Sequence, residues 1–179
     1  MSNKILNIFK IVKQKQLYLI SIILFSFIFD RVTKHLLLSF FIKSNAVSNI
    51  FCIKVFSFFN IIFVLNDGVS FGMLSGMNAK YYLIIISLTI LIILFTFLIK
   101  DNFVLNKIAY CLIIGGAIGN LYDRIFIGAV VDFLDFYIKF NLVEYHWPAF
   151  NVADSSIFLG VCCLFIFQFN QSFKSNKKY

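Results

Sequence analysis

The feature that most constrains this chain is the run of residues 81–99, which contains no charged side chain. A helix of this length spans about 28 Å at 1.5 Å per residue, close to the ~30 Å thickness of bilayer hydrocarbon. Three further apolar segments of similar length cover residues 16–41, 106–123 and 149–169. The sequence therefore predicts a polytopic membrane protein with four transmembrane helices.

Composition supports a membrane protein and argues against a nucleic-acid partner. Apolar residues make up 61% of the 179-residue chain and charged residues only 13%, against about 45–50% and 25% in soluble domains. The net charge of +8 comes from lysines that flank the apolar runs, such as Lys13, Lys15, Lys174 and Lys177. This placement follows the positive-inside rule and leaves no basic face interleaved with aromatic residues. We expect one membrane-embedded domain over residues 1–179.

The topology follows from the number of spans and the position of the basic residues. Four spans place both termini on one side, and the basic termini with the turn 100–107 predict that this side is cytoplasmic. The outer segments are then 43–79 and 125–147. The first contains a strand-like stretch, 55–65, followed by the turn sequence Asn66-Asp67-Gly68. We expect an all-α four-helix bundle with a small β-like platform and a short surface helix before the second span.

Polar residues collect at the outer rim of the predicted bundle. A charged side chain inside a span costs about 2.5–3.5 kcal/mol on insertion scales, so such residues usually have a partner or a task. Asp30 and Lys34 are four residues apart, the spacing of an ion pair within one helix. The polar residues that meet at this rim are Asp30, Lys34, Asn66, Asn120, Asp123, Arg124, Asp132, Asp135, Asn151 and Asp154.

A stripe of small residues lies in the third span. Gly115, Gly116 and Gly119 are close enough in sequence to share one side of a helix. Small residues allow a neighbouring helix, or a substrate backbone, to approach closely. We expect this stripe to serve close packing.

Aspartates meeting at one rim predict peptide hydrolysis by paired carboxylates. Two close carboxyl groups have separated pKa values, so one can act as a general base while the other donates a proton. Spacing pairs Asp123 with Asp154, because each shares a helix face with an asparagine three residues earlier. Ion pairs such as Asp123 with Arg124 are the structural alternative. His35 and His146 are expected to be interfacial residues, and neither a metal nor a cofactor is predicted.

Two other classes of protein compete with a peptidase. A small transporter or channel would need polar residues through the whole membrane thickness, and the run 81–99 has no charged residue. A scaffold protein would use its rim aspartates only in ion pairs, so Asp132→Asn would leave its function intact.

Five sequence blocks together resemble the bacterial lipoprotein signal peptidases (signal peptidase II). They occur in the order found in that family and extend over nearly the whole chain. In sequence order the blocks are Asp30-Arg31-Val32-Thr33-Lys34, Asn66-Asp67-Gly68-Val69-Ser70-Phe71-Gly72, residues 115–124 (GGAIGNLYDR), Val130-Val131-Asp132-Phe133-Leu134 and residues 147–155 (WPAFNVADS). The second block reads Gly-Val-Ser-Phe where Gly-Ala-Ala-Phe is common in the family.

The resemblance implies an intramembrane aspartyl endopeptidase of the bacterial inner membrane. It implies four spans, cytoplasmic termini, an active site near the outer face and cleavage before the diacylglyceryl-modified cysteine of prolipoproteins. The implied partners are these substrates, membrane lipids and the inhibitor globomycin. The catalytic dyad becomes Asp132 with Asp154, which replaces the pairing of Asp123 with Asp154. The implied supporting or binding residues are Asn66, Asn120, Asp123, Arg124, Asn151, Ala153, Asp30 and Lys34.

Overall fold

A computed structural model describes residues 2–43, 52–68 and 79–176 of the chain. Four helices contain segments long and apolar enough to cross a membrane, over Gln14–Ile42, Lys80–Lys100, Val104–Phe126 and Val152–Asn170. These segments agree with the four predicted spans. The helices are α1 (Ser2–Lys43), α2 (Ala79–Lys100), α3 (Val104–Phe126) and α4 (Val152–Asn176), and the strands are β1 (Cys52–Phe56), β2 (Phe59–Asn66), β3 (Val130–Phe140) and β4 (Val143–His146).

Helix α3 is the centre of the bundle, and the other three helices pack against it. Glycines make the approach possible, because a Cβ on Gly116 would overlap the carbonyl group of Ala153 in α4. On the other side, a Cβ on Gly115 would lie 2.7 Å from the carbonyl oxygen of Ile23 in α1. The predicted small-residue stripe therefore serves helix packing.

The outer surfaces of the other helices are apolar. Phe25 in α1, Ile92 in α2 and Phe165 in α4 are among the most exposed side chains of their helices. Such a surface is unfavourable in water and suits a lipid environment. The pattern supports the membrane assignment independently of helix length.

The four strands form one antiparallel sheet in the order β1-β2-β3-β4. The sheet confirms the expected β platform, but it is larger than predicted, because β3 and β4 come from the segment 125–147, for which no strand was predicted. The β-branched and aromatic residues that make up most of β3 are a strand signal, and Asn141, at φ 54°, turns the chain toward β4. The surface helix expected before the second span would fall at 69–78, outside the described residues.

A short bridge joins the sheet to the start of α4. The Leu134 amide donates to the Phe150 carbonyl over 2.8 Å, and the Phe150 amide donates to the Leu134 carbonyl over 3.1 Å. The bridge keeps this segment extended, so α4 begins at Val152 rather than at 149 as predicted. It also places Asn151 beside β3, where Asp132 lies.

Candidate active site

Asp132 lies on the central strand pair of the sheet. It is opposite Val64 of β2 in the register, and its side chain is almost completely buried. Burial disfavours the charged form of a carboxyl group. Burial accordingly raises the pKa of Asp132 from 3.8 to about 6, even though hydrogen bonds from amides oppose this shift.

Two asparagine side chains hold the Asp132 carboxyl group. The Nδ2 of Asn66 donates to Oδ2 over 2.8 Å, and the Nδ2 of Asn151 donates to Oδ1 over 2.6 Å. The Asn66 amide is oriented by a local turn, because its Oδ1 accepts the backbone N–H of Gly68 over 2.9 Å. Gly68 has a φ of 104°, which favours glycine. The predicted turn after β2 therefore aims Asn66 at Asp132.

Asp154 is positioned by the first turn of α4. Its backbone N–H donates to Asn151 Oδ1 over 2.9 Å, and its own Oδ2 accepts the Asn151 backbone N–H over 3.2 Å. This reciprocal arrangement is a capping box that uses Asn and Asp. The other carboxyl oxygen, Oδ1, accepts Asn120 Nδ2 over 2.7 Å. The capping box fixes the place of the carboxyl group on the helix.

Asn151 connects the two carboxyl groups. Its Nδ2 donates to Asp132, while its backbone N–H and Oδ1 bond Asp154. Its Nδ2 also lies 3.2 Å from Oδ1 of Asn120, the second partner of Asp154. We call Asp132 and Asp154 the amide-linked pair. Among the described residues, no Lys, Arg or His nitrogen lies within 4.0 Å of either carboxyl group.

A second group of charges, three buried and one (Arg31) half-buried, lies beside this pair, and we call it the four-charge cluster. Its members are Asp30, Arg31, Lys34 and Asp123. Arg31 contacts both carboxylates at 2.6 Å, Asp30 through Nη2 and Asp123 through Nη1. Lys34 Nζ lies 3.0 Å from Asp30 and 2.6 Å from Asp123. The predicted pair of Asp30 with Lys34 is therefore present, within a larger network.

Each aspartate of the four-charge cluster also holds a backbone amide of the site. Asp30 Oδ1 accepts the N–H of Ala153 over 3.1 Å, and Ala153 directly precedes Asp154. Asp123 Oδ2 accepts the N–H of Val131 over 3.2 Å, and Val131 directly precedes Asp132. The cluster thus fixes the backbone beside both members of the amide-linked pair.

Arg124 lies at the edge of the site and does not pair with the preceding Asp123. Its Nε is buried and has no hydrogen-bond partner among the described residues. A Cβ added to Gly68 would lie 3.8 Å from this Nε, so Arg124 is next to the turn that carries Asn66. An unpaired buried donor at this position can still donate to a hydrogen-bond partner that comes beside it.

Every residue of the predicted site belongs to one of these two groups or lies beside them. The structure adds Arg31, which had no predicted role. Residues one apart point in different directions on a helix, so spacing gave no reason to join Arg31 to Asp30. Asp135, also without a predicted role, is bonded by Asn60 and by His146. In the ranges 2–43, 52–68 and 79–176 no three His, Cys, Asp or Glu side chains group as a metal site. A metal-free mechanism stays a prediction.

Comparison with known proteins points to one family. The model for signal peptidase (SPase) II matches residues 22–170. The lipoprotein signal peptidase of Francisella tularensis subsp. novicida (strain U112) is 44% identical over 117 residues, 63% of this chain and 70% of that protein. The one of Thermodesulfovibrio yellowstonii is 39% identical over 154 residues, 86% and 95% of the two chains. A solved bacterial membrane enzyme, 36% identical, superposes with a TM-score of 0.69 over 87% of this chain and 89% of that one.

Fold and site together define a polytopic membrane protein with an amide-linked pair of carboxyl groups, one buried (Asp132) and one half-buried (Asp154). The chain belongs to the signal peptidase II family, and thus to the peptidases. The predicted family is confirmed.

Proposed function

We propose that this chain is an intramembrane aspartyl endopeptidase that removes signal peptides from prolipoproteins. The relatives are named lipoprotein signal peptidases, which supports the substrate class. The bond cleaved is the one before the diacylglyceryl-modified cysteine, and Asp132 with Asp154 perform the hydrolysis. The observation that carries this proposal is Asn151, which bonds both carboxyl groups at once.

The reaction uses one carboxylate and one carboxylic acid. The carboxylate takes a proton from water as the water oxygen attacks the scissile carbonyl carbon, and the acid protonates the carbonyl oxygen. The tetrahedral intermediate then collapses, the C–N bond breaks and the nitrogen takes up a proton. The products are a signal peptide with a free carboxyl group and a lipid-modified cysteine with a free amino group. Burial raises the pKa of Asp132 to about 6, so this residue is able to hold a proton close to neutral pH.

The supporting residues act on the position of the pair and on the substrate. Asn66, Asn120 and Asn151 orient the carboxyl oxygens through their amides. Arg124 contributes the buried Nε that a substrate carbonyl, or globomycin as an inhibitor, would bond. Asp30, Lys34 and Asp123 act through the backbone, because the two aspartates accept the amides of Ala153 and Val131.

The proposed location is the bacterial inner membrane, with both termini in the cytoplasm and the site near the outer face. The lysines of the termini and of the α2–α3 turn support this orientation. A substrate anchored by its acyl chains keeps its scissile bond near the membrane surface, which is the depth of a site at the helix ends. Water also reaches this depth more easily than the bilayer centre.

The test is cleavage of a diacylglyceryl-modified prolipoprotein by purified variants, followed by gel mobility. We expect Asp132→Asn and Asp154→Asn each to lower the rate more than 1,000-fold, on the order of the loss when a catalytic group is removed, while the thermal unfolding profile remains cooperative. Asp135→Asn is the matched control, because Asp135 is buried in the same strand and bonded by Asn60 instead. Globomycin should block the wild type. Substantial turnover by either dyad variant would refute the assignment.

A further inference from the structure

We infer that the chain carries a binding site for the phosphate of an anionic phospholipid, in the leaflet opposite the active site. The site is a cavity of about 310 Å³ between the start of the α1 span and the α2–α3 turn. We call it the basic pocket. It is lined by Lys15, Gln16, Tyr18, Leu19, Asn102, Val104 and Lys107.

The depth of the basic pocket matches the level of lipid headgroups. Lys15 lies one residue inside the beginning of the α1 span, and Val104 begins the α3 span. Lys34 of the four-charge cluster is 19 residues further along the same helix, a rise of about 28 Å. This distance is close to the full hydrocarbon thickness of ~30 Å. The pocket and the active site therefore lie at opposite membrane surfaces.

Acidic residues are scarce at the membrane surface that carries the basic pocket. All but one of the eight acidic residues lie in the sheet, in the turn after β2 or among the helix residues of the four-charge cluster and the amide-linked pair at the active site. The exception, Asp101, is occupied within its own turn, because Oδ1 accepts the Phe103 N–H at 2.7 Å and Oδ2 accepts Asn106 Nδ2 at 2.8 Å. Lys15 and Lys107 form no ion pair with any residue that the structure describes. Lys15 is exposed and Lys107 is half-buried, so the two ammonium groups give the cavity a positive potential that attracts an anion.

The remaining lining residues select a lipid over a soluble anion. Gln16, Tyr18 and Asn102 offer amide and hydroxyl groups that suit phosphate oxygens. Leu19 and Val104 form an apolar wall, and the neighbouring surfaces of α1 and α3 remain apolar toward the bilayer, with Leu17 and Leu105 exposed. A molecule with a phosphate and acyl chains fits both parts. Anionic lipids are held near a membrane surface at about 1 kcal/mol per Lys or Arg.

The experiment measures binding of phosphatidylglycerol to the full-length protein in detergent micelles by native mass spectrometry. We expect Lys15→Gln and Lys107→Gln each to weaken binding about five-fold, and the double variant about 25-fold. Lys100→Gln is the matched control, because Lys100 is exposed at the same membrane surface and does not line the pocket. Its binding should stay within about two-fold of the wild type.

Three results would overturn the site. An equal loss in Lys100→Gln would assign the binding to diffuse surface charge. If phosphatidylcholine bound as tightly as phosphatidylglycerol, the pocket would recognise acyl chains and not the anionic headgroup. Displacement of phosphatidylglycerol by millimolar inorganic phosphate would make the pocket a soluble-anion site. Because the readout is lipid binding, each result is independent of peptidase activity.

Discussion

Two groups of carboxyl groups lie side by side in this molecule, and they are stabilised differently. In the four-charge cluster, Asp30 and Asp123 each contact both Arg31 and Lys34 at 2.6–3.0 Å. In the amide-linked pair, Asp132 and Asp154 receive neutral amide donors. Cations hold a carboxylate in its charged form, whereas amides bond it without neutralising it. Among the described residues, the amide-linked pair has no cationic nitrogen within 4.0 Å, whereas each aspartate of the cluster has two cationic partners.

Hydrogen bonds also connect the four-charge cluster to the backbone beside the amide-linked pair. The two aspartates of the cluster accept the backbone amides of Val131 and Ala153, the residues just before Asp132 and Asp154. The ionic network of the cluster therefore holds the backbone just before both members of the amide-linked pair. We infer that the four-charge cluster provides the fixed structure and thereby allows the amide-linked pair to be reactive.

The largest effect that separates the two groups is expected from Asp123→Asn. This variant leaves Arg31 and Lys34 with one carboxylate between them, and breaking a buried ion pair costs about 3–5 kcal/mol. The melting temperature in detergent should fall strongly. Asp132→Asn makes the same chemical change in the amide-linked pair and should cost far less at neutral pH. Equal losses of stability would remove the distinction between the groups.

The next largest effect is a pH dependence of protein stability that comes from Asp132. Its pKa is raised from 3.8 to about 6 in the folded protein, so the unfolded chain loses this proton first as the pH rises. The higher pKa of Asp132 in the folded state adds ~3 kcal/mol to the free energy of unfolding. This contribution is fully present below about pH 4 and is lost as the pH rises through about 6. The stability of the wild type relative to Asp132→Asn should decrease over this window in thermal unfolding. Asp67→Asn removes a carboxyl group from an exposed position, and an equal trend there would assign the effect to overall charge.

A smaller effect concerns the amide that orients Asp132. Asn66→Ala removes the donor to Asp132 Oδ2, and hydrogen bonds to charged groups contribute about 1.5–3 kcal/mol. The cleavage rate should fall about 10- to 100-fold. The control is Asn60→Ala, since Asn60 is on the same strand and donates to Asp135 Oδ2 over the same 2.8 Å. A comparable loss of rate per folded Asn60→Ala molecule would show that the sheet, and not the pair, is affected.

The sequence could predict contacts between residues that are close together in the chain, but not contacts between distant ones. The four spans and the ion pair of Asp30 with Lys34 follow from helical spacing and from the cost of charge in a span. Strands β3 and β4 were not predicted, because their β-branched and aromatic residues lie in a segment assigned only as a connection between spans. Spacing also paired Asp123 with Asp154. The contacts of Asp123 with Arg31 and Lys34, 92 and 89 residues away, depend on how α1 packs against α3, which no local pattern specifies.

The smallest effect tests whether the geometry of the cluster matters beyond its charge. Arg31→Lys preserves the charge but loses the planar fork that reaches both carboxylates through separate nitrogens. We expect a stability loss of about 1 kcal/mol, near the net value of one hydrogen bond. We also expect a slower cleavage rate, because Asp30 and Asp123 would hold Ala153 and Val131 less firmly.

The control for Arg31→Lys is Lys139→Ala, which removes the ion pair of Lys139 with Glu144 at 3.5 Å, where both side chains are exposed. An exposed pair contributes about 0–1 kcal/mol, so melting temperature and rate should both remain near wild type. A wild-type cleavage rate in Arg31→Lys would mean that charge alone positions the amide-linked pair. A reduced rate with nearly unchanged stability would show that the fork of Arg31 sets the backbone beside the carboxyl groups, and that the two groups are mechanically coupled.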